Sequence, residues 1–307
     1  MATREVVVSA GVFRSPQLLM QFNIPNLQDR PLVGSTYQIN MNTSSQEFNA
    51  ENVAFFNSTY FASPPTGILT GTVDITSFEN VPPEFNLTLS PATQAAITAL
   101  PPDWPVFQYL PVNGDLLLFR SIASKPPTST AVVPNYGSIA AAVAAPQSRG
   151  SVSIRSADFS DPPVIDIGYL NDPADVELLM VAFKRSRQAW RSPAIRPALV
   201  GDEYWPGYDL VPDGDDEAIR NHVVENVMPI WEAMGTCAMG TDASNGVVDS
   251  LARVFGARGL RVADASALPF SLPGHPASSV FGLAERVAEW VKEDFGTGQG
   301  AAAVRDR

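Results

Sequence analysis

One cysteine, Cys237, and two histidines, His222 and His275, are the only thiol and imidazoles in 307 residues. A single thiol cannot close an internal disulfide, and no Cys-cluster or His-rich metal site can be assembled from this set. Positive charge is scarce as well: 20 Lys and Arg stand against 32 Asp and Glu, a net charge of −12. With a pI near 4.6, the chain is repelled by phosphate backbones and anionic lipid, which argues against nucleic acid and membranes as partners. No apolar run reaches the ~18 residues that span a bilayer. The opening MATREVVVS has too short an apolar stretch, and no cleavage site, for a secretory leader. As it stands, the chain reads as cytoplasmic. Three sequons, Asn42-Thr-Ser, Asn57-Ser-Thr and Asn86-Leu-Thr, would fit the secretory pathway if they are used and a leader was removed.

What is present describes a globular protein. Hydrophobic residues make up 45% and charged ones 17%, and the length suggests about two domains. Glu5–Gly11 (EVVVSAG) reads as a short strand ending in a glycine turn. Ser15 and Pro16 then suit the cap and first position of a helix. From Leu32 to Ile154, β-rich runs (LVGSTYQIN, GILTGTVDI, DLLLFRSI, GSIAAAVAA, GSVSIRS) alternate with Pro- and Asn-rich connectors, predicting an antiparallel sheet. TQAAITAL predicts a short helix on that sheet. Asp172-Pro173 opens a longer one whose Val176, Leu179, Met180 and Phe183 form one stripe. GVVDS and GLRVADAS predict strands. A last helix begins near Ser278 with Val280, Leu283, Ala284, Val287 and Val291 on one face. The ends are α/β in texture and the middle is β, so two interleaved domains are expected.

Six blocks in order carry a resemblance. They are REVVVSAGVFRSPQLLM, NLQDRPLVG, SRGSVSIRSADFSDPPVIDIGYLNDPADVE, GTCAMG, GVVDSLARVFGARGLRVADASALP and GHPASSVFGLAERVAEWV. Together they resemble the C-terminal half of the glucose–methanol–choline (GMC) oxidoreductases, flavin enzymes that oxidise alcohols. The resemblance implies an α+β and α/β fold. Residues 31–234 would be a GMC-type substrate domain, an antiparallel sheet with helices. Residues 1–30 and 235–296 would be a remnant of the flavin domain, and 297–307 a disordered tail. The family's N-terminal GxGxxG unit, which admits the flavin pyrophosphate to a helix N-terminus, has no counterpart here. GTGQG at 296–300 lies after a helix rather than between strand and helix, and QFNIP replaces a longer glycine-bearing loop. The expected cofactor is therefore none, with FAD if another chain supplies the missing part. In that case Asp264, Ala265, His275 and Pro276 would lie near it.

The family's general base is a histidine ahead of a Gly-Thr-Cys run, and here Glu232 stands at that position. Its second catalytic position matches His275. A buried glutamate is a competent acid or base, though Glu232 reads equally as a salt-bridged relic and His275 as a structural histidine. Trp231, Phe107, Tyr109, Tyr204 and Trp205 could line a pocket or simply pack the core. Asp264 suits a turn cap, Cys237 the core and His222 the surface. Hydride transfer needs a flavin, whereas cyclisation, isomerisation or cycloaddition needs shape and a proton donor or acceptor. The family includes a member that closes a ring without net redox change. The first expectation is thus a flavin-independent, non-redox enzyme acting on a small hydrophobic metabolite through Glu232 and His275. The alternatives are an FAD-dependent alcohol oxidase completed by a separate N-terminal fragment, or a catalytically dead binding module. Exposed strand edges at Val6–Ala10 and Leu260–Ala263 would favour a homodimer or that complementing fragment.

Overall fold

The computed structural model describes residues 4–19, 26–48, 50–71, 73–116 and 134–296. The expected strand DLLLFRSI, the QFNIP segment and the 297–307 tail lie wholly or largely outside these. Two compact units emerge. The first comprises 1–30, 145–171 and 231–307, and the second 31–144 and 172–230. Segments 145–171 and 231–234, which the sequence reading grouped with the substrate domain, thus pack with the two chain ends.

In the first unit, β1 (Val6–Val8) pairs in parallel with β10 (Leu260–Val262). The core beside them gathers Leu19, Cys237, Val247, Val248, Val254, Val262 and Ala267. Burial pushes the Cys237 thiol up to about 12, so it is an inert core residue. A second pair, β6 (Ser151–Ser153) and β7 (Val164–Asp166), runs antiparallel. GVVDS forms only isolated bridges at Val248 rather than a strand.

The first helix runs Gly11–Leu19, so it starts four residues before the expected Ser15 cap. The reason is Asp264, 253 residues away, whose carboxylate accepts from the Gly11 amide (3.0 Å) and the Ser15 hydroxyl (2.5 Å). That acceptor satisfies the start of the helix and turns Ser15 into an interior residue. Pro16 then sits inside the helix, where it cannot donate to the Val12 carbonyl. Thr236 Oγ1 donates there instead, at 2.6 Å. Replacing Thr236 by valine should leave that carbonyl without its donor and cost about 1–3 kcal/mol. Urea unfolding would measure it, and Thr236→Ser should retain most of the stability.

The second unit is a sheet in the order β3 (Ser77–Glu79), β4 (Phe107–Val112), β5 (Tyr136–Val143), β2 (Pro31–Ile39), β8 (Leu199–Trp205). The short β9 (Met228–Pro229) pairs with the start of β2. The expected strand GILTGTVDI is instead a 3-10 turn at Ile68–Thr70 and irregular chain, with β3 starting later at Ser77. Glycines at both ends of ILT disfavour a ladder there. Leu32, Leu110, Val112, Leu116, Ala140, Ala142, Met228 and Ile230 form the core on this sheet. Helix Pro173–Trp190 is capped by Asp172 and lies on β5 and β2. The alanines of β5 let it approach, and Val176, Leu179 and Phe183 of its predicted stripe are buried. Arg187, on the same helix, makes a two-pronged ion pair with Glu203 of β8 (2.9 and 2.5 Å). His222 is buried rather than exposed: in helix Asp216–Asn226 its ring packs 5.1 Å from Phe183 and 4.9 Å from Trp205. Among the described residues no helix is long and apolar enough to cross a membrane.

Candidate functional site

Three segments of the first unit are clamped together by one glutamine. Gln28, 1% exposed, pairs its backbone with Met234 in both directions (3.0 and 2.8 Å). Its side chain donates to the Pro269 carbonyl (3.2 Å) and accepts from the Ser271 amide (2.9 Å). Segments 26–30, 231–235 and 269–275 are therefore fixed relative to one another. Gly235 closes the arrangement at φ +88°, and a Cβ there would fall 2.5 Å from the Asn26 carbonyl oxygen. Only glycine fits.

This clamp brings Glu232 and His275 together. Glu232 Oε1 contacts His275 Nδ1, and Oε2 contacts Nη2 of Arg30. The Arg30 side chain is fully buried, Glu232 is 9% exposed and His275 is 49% exposed. Arg30 also donates to the Gly274 carbonyl at 3.0 Å, so one guanidinium holds both the carboxylate and the loop that carries the histidine. Asp29 braces the set from behind. Its Oδ1 accepts from the amides of Arg30 (2.8 Å) and Glu232 (3.1 Å), and its Oδ2 accepts from the Tyr169 hydroxyl (2.7 Å).

The electrostatics follow from burial. Desolvation pulls the Arg30 pKa down to about 10, opposed by Asp29, so it remains a cation at neutral pH. Desolvation raises Asp29, opposed by Tyr169 and Arg30. His275 is lowered, first by desolvation and then by the Arg30 charge. A neutral His275 that donates Nδ1–H to Glu232 carries its lone pair on Nε2, the arrangement of an oriented general base. Trp231, just before Glu232, has φ +60° and is 65% exposed. Such backbone strain in a bulky residue marks a position held by its surroundings.

Arg30, Asp29 and Tyr169 were missed by the sequence reading. The arginine directly after NLQD was the available signal. The remaining predicted residues do not converge. Asp264 caps the turn Ala265–Ala267, and the Ala265 carbonyl accepts from the Gly235 amide at 3.2 Å. Pro276 precedes the last helix, Ala277–Phe295. Phe107, with no exposed surface, and Tyr109 pack on each other in β4. Trp205 packs on the core from β8, and Tyr204 is half exposed with its ring 4.4 Å from Tyr136. β4 and β8 stand three places apart in the sheet, about 14 Å. The four aromatics therefore do not form one wall.

The Asp264 side chain, which the resemblance places near a flavin, is committed to contacts within the protein. At the strand–turn–helix of Val6–Leu19, the Asp264 carboxylate accepts from the Gly11 amide. Asp264 also accepts from Ser15 and from the amide and hydroxyl of Ser266, leaving it no capacity for a sugar hydroxyl. No cluster of three or more His, Cys, Asp or Glu that could hold a metal occurs among the described residues.

Comparison with known proteins agrees with this architecture. The C-terminal family model described as GMC oxidoreductase matches residues 146–284. Patulin synthase of Penicillium expansum is 39% identical over 310 residues, 94% of this chain and 48% of that protein. Versicolorin B synthase of Aspergillus parasiticus is 35% identical over 311 residues, 94% of this chain and 46% of that protein. The chain spans about half the length of these relatives. In fold it is similar to formate oxidase, at TM-score 0.82 and 21% identity over 96% of this chain and 55% of that one. It is also similar to an FAD-dependent oxidoreductase from Chaetomium thermophilum, at TM-score 0.71 and 24% identity over 95% of this chain and 56% of that one.

Proposed function

The chain belongs to the GMC oxidoreductase family and corresponds to the C-terminal half of its members, and from that premise we propose that it is an acid–base enzyme acting without net redox change on a hydrophobic metabolite. Cyclisation, isomerisation or cycloaddition is the reaction class. One observation supports this above all: the Arg30–Glu232–His275 set lies entirely within this chain. Arg30 pairs with the Glu232 carboxylate, Glu232 fixes the tautomer and direction of His275, and His275 Nε2 moves the proton. Trp231 offers an apolar face beside the pair. Two of the relatives are named synthases of fungal metabolites, which favours a metabolite over a sugar or a small alcohol.

A second reading, FAD-dependent alcohol oxidation completed by residues outside this chain, is favoured by β1, whose Val6 and Val7 are 46% and 43% exposed. Equilibrium dialysis against FAD separates the two. Absence of sub-micromolar retention is expected, and stoichiometric retention would turn the assignment to the second reading.

The pH dependence has a defined sign. The His275 pKa is lowered in the fold, so the imidazole is neutral, and able to accept a proton, at and above neutral pH. Turnover should hold steady near pH 7 and fall on the acid side, below the ordinary imidazole value of about 6.5. A rate that instead rises on acidification would identify His275 as the acid.

A further inference from the structure

From an open groove in the second unit we infer a second binding site, one that takes an aromatic acid bearing a ring hydroxyl. The cavity measures about 430 Å³ and is lined by Tyr37, Arg191, Arg196, Leu199, Gly201, Asp202 and Tyr208. It shares no residue with the Glu232–His275 set. Its volume lies in the range that holds small organic ligands.

A bulge opens the groove. Tyr37 pairs with Glu203 and Ile39 with Leu199, so two steps along β2 face four along β8. The surplus is absorbed where Gly201 takes φ +75°, with open space where its Cβ would be. Bulges of this kind re-aim side chains beside sites, and here the register shifts on both sides of Tyr37. The opposite wall is fixed. The turn Arg196–Ala198 is tied to Asn40 by its amide on the Ala198 carbonyl (2.9 Å) and its side chain on the Pro197 carbonyl (3.1 Å).

The chemistry of the lining selects the ligand. Arg191 pairs with Asp213 and donates to the Tyr208 hydroxyl at 2.9 Å. The Tyr208 and Tyr37 hydroxyls lie 2.8 Å apart, a contact that consumes one of their two protons. Burial raises Tyr37, so its phenol stays protonated and serves as a hydrogen-bond donor in this wall. Arg196 and Asp202 make no ion pair or side-chain hydrogen bond among the described residues, although both line the cavity. In a chain of net charge −12, an uncommitted arginine lining the same cavity as two phenols suits an anionic group carried on an aromatic ring. Asp202 then suits a hydroxyl donor on that ring.

Calorimetric titration with 4-hydroxybenzoate and its uncharged analogue 4-hydroxybenzamide tests the site. Saturable 1:1 binding of the acid is expected, at least about tenfold tighter than the amide. Arg196→Gln should bring the acid down to the level of the amide while leaving the amide unchanged. Arg196 is exposed, so the variant should fold, as a thermal melt would verify. His275→Gln should not alter binding. Absence of saturation up to about 10 mM, an equal loss for acid and amide in Arg196→Gln, or loss of binding in His275→Gln would each overturn the site.

Discussion

Replacing His275 by alanine is expected to lower turnover by roughly 10²–10⁴-fold, the usual cost of removing a positioned acid or base. The melting temperature should stay nearly unchanged, because this side chain is half exposed. Those two readouts together separate catalysis from architecture. If the histidine only completed the fold, stability would fall with activity. If it were an unused relic, neither would move. His275→Gln sharpens the test, since the amide can still donate a hydrogen bond to Glu232 but cannot accept a proton at neutral pH. It should be as inactive as alanine and at least as stable. Near wild-type turnover in both variants would refute the proposed role and leave catalysis to the shape of the pocket.

How far the sequence revealed this arrangement depends on the separation of the contacts involved. Helix Pro173–Trp190 was legible because its cap, its first proline and its buried stripe are all local. Glu232 and His275 were legible only through resemblance, since nothing in WEAMGTC or GHPASS says that the two loops meet. Arg30 left only a faint signal, an arginine directly after NLQD. Its role depends on a carbonyl 244 residues away and on a carboxylate in a third segment, so as a sequence feature it is one arginine before a proline. The same holds for the helix at Gly11, whose start is set by Asp264 rather than by its own neighbours. His222 was misplaced because EAIRNHVVENV shows polar periodicity, while burial of the imidazole comes from Phe183 and Trp205 on other elements. GILTGTVDI has β-type composition but glycine punctuation, and the glycines decided its structure.

Arg30 also changes what substitution at Glu232 should do. A titratable glutamate on a surface loop could be neutralised at little cost. This one faces a guanidinium with no exposed surface, so Glu232→Leu takes one carboxylate from a buried cation that keeps Asp29 and the Gly274 carbonyl as partners. Breaking one side of a buried ion pair typically costs about 3–5 kcal/mol, whereas replacing both partners by apolar residues is often neutral or stabilising. Glu232→Leu should therefore be inactive and destabilised by that amount. Arg30→Met alone should also be destabilised, because it leaves the carboxylate and the Gly274 carbonyl without their donor. The double variant Arg30→Met/Glu232→Leu should recover much of the lost stability while remaining inactive, since neither the tautomer nor the direction of His275 is then fixed. Chemical unfolding of the four proteins closes the cycle. A coupling free energy near zero, with the two losses simply adding, would show that Arg30 and Glu232 do not act as a pair, and the role of Arg30 in holding the carboxylate would fall with it.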